Sequence, residues 1–187
     1  MQTSDKHIYT VVGKNFETDD ITTIYFSKDF AFKSGQFITV YFPDTKVAEG
    51  KTYSISSAPH EEHISVTVKD IGLFSHKLST LRTGDSFTAS SPYGFFYSEE
   101  EETTLVLLAA GIGVAPYHGI IIDSLKKNPN REIHLYYSVP RVSGIAFVET
   151  FLELAKEYKP KKFYPNISHH KYWIGPHPFF TCNGLKK

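Results

Sequence analysis

The chain changes its pattern of apolar and polar positions near the middle. Residues 8–16, 22–26, 36–42, 51–56, 63–69 and 87–90 are short, rich in β-branched and aromatic residues, and separated by Glu17 to Asp20, Ser34-Gly35, Ala58-Pro59 and Thr83-Gly84-Asp85. They read as six strands joined by polar turns. The alternation is cleanest where Ile64, Val66 and Val68 interleave with Ser65 and Thr67, which predicts one face on a core and one away from it. Six such strands favour a closed antiparallel barrel, since closure removes exposed edges. Residues 73–81, with Leu73, Leu78 and Leu81 among polar positions after Gly72, predict a short helix set between strands. Its first turn either offers the Gly72 to Ser75 amides and the Ser75 hydroxyl to a phosphate or plugs the end of the barrel.

From Leu105 to Ala110 the alternation stops. This unbroken apolar run ends in Gly111-Ile112-Gly113 and predicts a parallel strand buried on both faces. The two glycines make either a ligand-binding turn or an ordinary tight one, because a complete dinucleotide fingerprint would need a third glycine at Ala115 or Pro116. Pro116 instead suits the first turn of a helix. Tyr117, Ile120, Ile121 and Leu125 then share a helical stripe, which Asn128-Pro129-Asn130 ends. Residues 133–137 predict a strand, 143–158 a second helix, and 163–164 and 172–174 weaker strands. Strand, helix, strand, helix is the parallel α/β pattern.

The expected fold is therefore two-domain: an antiparallel β-barrel with a short helix over residues 1–98, then a truncated parallel α/β nucleotide-binding domain over 99–187. The acidic run Glu99 to Glu102 lies at the junction.

Composition narrows the chemistry. Of 187 residues, 20 are basic and 20 acidic, so overall charge calls for neither nucleic acid nor an anionic membrane. Fifteen Phe and twelve Tyr supply core and surfaces on which a planar ligand can stack. Cys182 is the single cysteine, which excludes an internal disulfide or a cysteine-ligated cluster, so redox chemistry requires a bound organic cofactor or a partner. His169-His170 and His177 lack the further ligands of a metal site, and no metal is expected. With no signal peptide and no membrane-length apolar run, the reading is a cytoplasmic protein without membrane insertion.

Five short motifs, in order, resemble those of the ferredoxin–NADP reductase family. Lys51-Thr52-Tyr53-Ser54 is similar to its Arg-x-Tyr-Ser, and Gly72-Leu73-Phe74-Ser75 to its second flavin motif. Ser91-Pro92-Tyr93-Gly94-Phe95-Phe96 resembles Gly-Pro-x-Gly-x-Phe. Gly111-Ile112-Gly113-Val114-Ala115-Pro116 resembles the nicotinamide-side loop, and Ile174-Gly175-Pro176 the closing Cys-Gly-Pro. The resemblance implies a flavin-dependent oxidoreductase that moves electrons from NAD(P)H through a bound flavin, FAD with FMN as the alternative, to a protein or small-molecule acceptor. A non-enzymatic flavin-binding electron-transfer subunit is the alternative function.

In that resemblance Tyr53 packs on the isoalloxazine, Ser54 lies near flavin N5, and these two form the redox centre. Lys51 stands at the phosphate, keeping the charge of arginine without its planar fork. Gly72, Leu73, Phe74 and Ser75 carry the pyrophosphate. Gly111, Gly113, Pro116, Gly175 and Pro176 converge on the nicotinamide, and Arg141 is either a nucleotide contact or a surface arginine. Ile174 replaces the customary cysteine. The second domain is short, so either the flavin is more exposed there or a partner or a second subunit covers it.

Overall fold

The computed structural model describes residues 5–27, 30–45, 47–97, 100, 102–158 and the backbone of 162–167. The predicted strand at 172–174, together with Gly175, Pro176, Cys182 and the three C-terminal histidines, lies outside them.

In the first half, β1 (Lys6–Phe16), β2 (Ile21–Phe26), β3 (Phe37–Tyr41), β4 (Lys51–Ser54), β5 (Ile64–Lys69) and β6 (Ser86–Ser90) form one antiparallel sheet in the order β4-β3-β6-β1-β2-β5. Lys6 to Thr10 of β1 pair with β6, while Val11 and Gly13 to Phe16 pair with β2, the register shifting between Val11 and Gly13. A bulge at that point bends the strand and folds the sheet over its own core. Tyr9, Phe26 and Phe87 fill the centre with ring centroids 5.3–5.7 Å apart, and the Tyr9 hydroxyl donates to Ser90 O at 3.1 Å. Helix α1 (Leu73–Thr80) contributes the buried Phe74 and Leu78 to the same core.

The expected closed barrel is not formed. The edge strands β4 and β5 meet only at an isolated bridge, Ile55 with Val66. Ser56 N still donates to Ser65 O, but Ser65 N is taken by the Ser57 hydroxyl at 2.9 Å. A side chain occupies the place of the next backbone acceptor, and the ladder stops there. The polar face of β5 also differs from expectation, since Ser65 and Thr67 are as buried as their apolar neighbours. Their hydroxyls join Ser56 and Thr23 in a chain of bonds of 2.8–2.9 Å, which satisfies polar groups that alternation alone would send to water.

The second half builds a three-stranded parallel sheet, β7 (Leu105–Ala110), β8 (Ile133–Val139) and β9 (Lys162–Ile167), in that order. A 3-10 turn, Gly111–Val114, leads from β7 into α2 (Ala115–Lys127), with Pro116 in the first helical turn. The predicted helix over 143–158 is divided: a 3-10 turn, Val142–Gly144, precedes α3 (Val148–Glu157). Phe147 between them takes φ 59°, outside the right-handed helical region, so the helix starts only after it.

The run Leu105–Ala110 is not buried on both faces. Leu107 and Ala109 enter a core with Ile121, Leu125, Leu135, Tyr137 and Phe151, whereas Val106 and Leu108 are 56% and 70% exposed. Continuous hydrophobicity marks a strand able to be covered twice, but the described α2 and α3 cover one side. The two cores are joined by Ile21 of β2, which packs in the second cluster, and by Phe147 N donating to Glu17 Oε2 at 3.2 Å.

Candidate functional site

β4 presents Lys51, Tyr53 and Ser54 opposite Val40, Ile38 and Phe37 of β3. Tyr53 is half-buried and its ring lies nearly parallel to that of Phe74, 20° and 6.4 Å between centroids. Lys51 Nζ sits 5.7 Å from the centre of the same Phe74 ring. Phe74, anchored in the core from the second residue of α1, thus brings the β4 motif and the helix start together. Burial pushes the Tyr53 phenol up to about 12, so at neutral pH it is an uncharged ring with a polar tip. Among the described residues, the Lys51 ammonium meets no carboxylate and the Ser54 hydroxyl no hydrogen-bond partner.

The start of α1 is arranged differently from a hydroxyl aimed at a ligand. Ser75 Oγ accepts from Ile71 N and Gly72 N, both at 3.0 Å, and donates to Gly72 O at 2.9 Å. Its hydroxyl caps its own helix. The Leu73 and Phe74 amides remain as first-turn donors without an intrahelical acceptor. Gly72 is extended, with φ 179°, and an added Cβ would meet nothing within 4 Å. An open backbone with an uncommitted cation beside it suits a phosphate group. Tyr53 can stack a flat ring, Lys51 can neutralise phosphate charge, and Ser54 can donate or accept at the ring edge. The described residues therefore fit a flavin.

On the other side, Gly111 takes φ 50°, and a Cβ at Gly111 or Gly113 would also meet open space. The glycine turn leaves room for a ligand above the end of β7. Arg141 is less committed to that turn: it is 66% exposed and its Nη2 lies 3.9 Å from Asp20. Burial opposes ionisation of Asp20, but the Thr18 hydroxyl, Lys69 and Arg141 together hold its carboxyl below the ordinary value. Gly175 and Pro176, expected at the nicotinamide, fall outside the described residues.

Two residues that join these sides carry no motif. His118 Nδ1 donates to Ser56 O at 2.8 Å, two residues beyond Ser54, and its ring stacks on Phe147 at 4.2 Å and 28°. Burial lowers the His118 pKa, against the opposing effects of that bond and of Glu61 and Glu17. Beside it, a Cβ on Gly119 would lie 2.3 Å from Ser57 O and 3.0 Å from Ser56 O. Helix α2 meets the backbone that follows the β4 motif so closely that only glycine fits. The signal was present in sequence, because an interior helix glycine costs about 1 kcal/mol against alanine and usually marks a close approach.

An oxidoreductase NAD-binding domain family model matches residues 107–173. A flavohemoprotein of Bacillus subtilis is 31% identical over 134 residues, 67% of this chain and 34% of that protein. The electron transfer component of a Burkholderia cepacia 2-halobenzoate 1,2-dioxygenase is 31% identical over 131 residues, 67% of this chain and 38% of its own length. The chain thus spans well under half of either relative. Ferredoxin-NADP+ reductase from Plasmodium falciparum superposes with a TM-score of 0.80 at 18% identity, over 90% of this chain and 72% of that one. An Amycolatopsis cytochrome P450 reductase gives 0.77 at 24%, over 88% and 53%. These structures share the fold.

Proposed function

We propose, from the kinship of this chain with the ferredoxin–NADP reductase-like oxidoreductases that pair a flavin-binding with an NAD-binding unit, that it passes electrons from a nicotinamide nucleotide through a bound flavin to an acceptor. Residues 1–98 act as the flavin unit and 99–187 as the nucleotide unit, in the cytoplasm. The observation that carries the reading is the meeting of Lys51, Tyr53 and Phe74 at the first turn of α1, with Ser54 beside them. Tyr53 excludes water from one face of the ring, Lys51 and the Leu73 and Phe74 amides hold phosphate oxygens, and Ser54 contacts the redox edge. A bound flavin supplies two-electron uptake and one-electron release. FAD is favoured over FMN because two first-turn amides and a lysine suit a pyrophosphate. Gly111 and Gly113 let a nicotinamide nucleotide approach from the opposite side.

The test is a titration of the protein with FAD and FMN, followed by anaerobic NADH or NADPH. The expected outcome is flavin uptake, with weaker retention in Tyr53→Ala and Lys51→Glu, and bleaching of the flavin band by one nucleotide. Gly113→Trp should retain flavin and lose bleaching, since the added side chain enters open space rather than the core. An absence of flavin uptake by the parent protein would overturn the reading.

The second reading, a flavin-binding electron-transfer subunit of a larger assembly, is favoured by the exposed Val106 and Leu108 on the parallel sheet. It predicts flavin uptake without reduction by either nucleotide.

A further inference from the structure

One carboxylate reaches both sheets. Glu17 stands in the turn between β1 and β2, where its N–H donates to Ile21 O at 3.0 Å and fixes its backbone. Its Oε1 accepts from Thr23 Oγ1 at 2.7 Å and from Asn15 Nδ2 at 3.0 Å, and its Oε2 accepts from Phe147 N at 3.2 Å. One oxygen serves the antiparallel sheet, the other the residue that precedes α3. We propose that Glu17 is a positioning residue: it holds Phe147, and through Phe147 and His118 it fixes α2 and the glycine turn against the backbone that follows Ser54. Its bearing on electron transfer rests on the reading above, which puts flavin at β4 and nicotinamide at the glycine turn.

Phe147 is the link. It is a bulky residue at φ 59°, a left-handed conformation that persists only where the surroundings impose it. Glu17 holds its N–H, Phe151 N donates to its carbonyl at 3.0 Å, and the His118 ring stacks on its own at 4.2 Å and 28°. His118 Nδ1 in turn donates to Ser56 O at 2.8 Å. Ser56 closes the circuit, because its hydroxyl lies 2.9 Å from Thr67 Oγ1, which lies 2.9 Å from the Thr23 Oγ1 that is bonded to Glu17. Thr23, Thr67 and Ser56 are all buried. A closed ring of directional contacts resists a displacement that any single bond would allow.

The ring passes close to both places that the chemistry needs. Ser56 is two residues beyond Ser54, and His118 is five beyond Gly113, about 8 Å along the chain at a helical rise of about 1.5 Å per residue. Hydride transfer requires the reacting atoms to stand about 3–3.5 Å apart, and a misplacement of about 1 Å can cost about 100-fold in rate. The tight packing of Gly119 on Ser56 and Ser57 limits how near α2 can come; the ring through Glu17 limits how far it can move away. Without the carboxylate, Phe147 is free to return to negative φ and turn its ring off His118. The glycine turn then loses its fixed place relative to Ser54.

Residual dipolar couplings of 15N-labelled protein, without flavin or nucleotide, read the relative orientation of the two sheets. The amides of β1 to β6 and those of β7 and β8 should fit one alignment tensor in the parent and two in Glu17→Ala. Glu17→Gln, which keeps an oxygen for Phe147 N, should stay nearer the parent and carries the same readings if Glu17→Ala does not fold. In flavin-loaded protein, stopped-flow reduction at saturating nucleotide should be about 10- to 100-fold slower in Glu17→Ala, with the dissociation constants for flavin and nucleotide unchanged. His118→Asn, which loses the ring but keeps a donor for Ser56 O, should add little to the loss in Glu17→Ala, because both break one circuit, whereas unrelated structural damage would add. A single unchanged tensor in Glu17→Ala, an unchanged rate constant, a loss in affinity instead of rate, or additive losses would each overturn the proposal. If neither nucleotide reduces the flavin-loaded parent, the electron-transfer reading fails, and the couplings by themselves decide whether Glu17 fixes the junction.

Discussion

The antiparallel and the parallel sheet meet the same requirement, covering apolar side chains, in different ways. The first bends β1 at Val11 and Gly13 and folds over its own core, so that Tyr9, Ile24, Phe26, Ile38 and Val40 are fully enclosed by one sheet and α1. The second receives α2 and α3 on one face, includes Ile21 from β2, and exposes Val106 and Leu108 on the other. A sheet that curls supplies its own second layer; a short parallel sheet needs layers from elsewhere. Stability and binding are therefore expected to divide unequally between the two.

The largest effect should come from comparing one buried position with one exposed position. Ile38→Ala removes a fully enclosed side chain and should cost about 2–5 kcal/mol. Leu108→Ala, on the open face, should change stability by no more than about 0.5 kcal/mol. Urea denaturation followed by far-ultraviolet circular dichroism measures both. A loss at Leu108 comparable with that at Ile38 would show that the face is covered in solution.

Much of this division was legible in the residues. The periods of β1 to β6, the stop at Asn128-Pro129-Asn130 and the helix start at Pro116 follow from local chemistry, and the structure places these elements within a few residues of expectation. What depends on partners distant in sequence was not legible. Barrel closure failed on one competing hydroxyl, Ser57, and the buried polar face of β5 depends on Ser56 and Thr23, which no count of alternation reveals. Double burial of β7 was inferred from its own residues, although burial depends on what else covers the sheet. The β4 motif could be found as a string, but the role of Phe74 in uniting it with α1 needed coordinates.

A smaller effect tests how the two regions are joined. In Gly119→Ala the new Cβ would meet the backbone of Ser56 and Ser57, neither of which can rotate away as a side chain does. Overpacking of this kind costs about 1–3 kcal/mol. Since the contact lies between regions, the loss should appear as earlier melting of the second region together with weaker protection of the Ser56 and Ser57 amides in hydrogen exchange. Unchanged protection would mean that the helix shifts along the sheet without loosening the strand that follows Ser54.

The smallest expected effect is a dependence on pH at the same junction. His118 is held neutral by burial, and its pKa is lowered in the folded protein relative to an ordinary value of about 6.5. Below about pH 6.5 the unfolded chain binds the proton more readily than the folded one, so stability contributed by neutral His118 is fully present above that pH and declines as the solution is acidified toward the folded-state pKa. Glu61 and Glu17 act against the decline by favouring the charged ring. One proton sets a ceiling on the slope of about 1.4 kcal/mol per pH unit. His118→Asn retains a donor for Ser56 O but has nothing to titrate there, so its stability should fall less steeply than that of the parent between pH 6.5 and 5. Parallel curves for the two proteins would mean that His118 takes up its proton without leaving the stack on Phe147, and that the junction is insensitive to its charge.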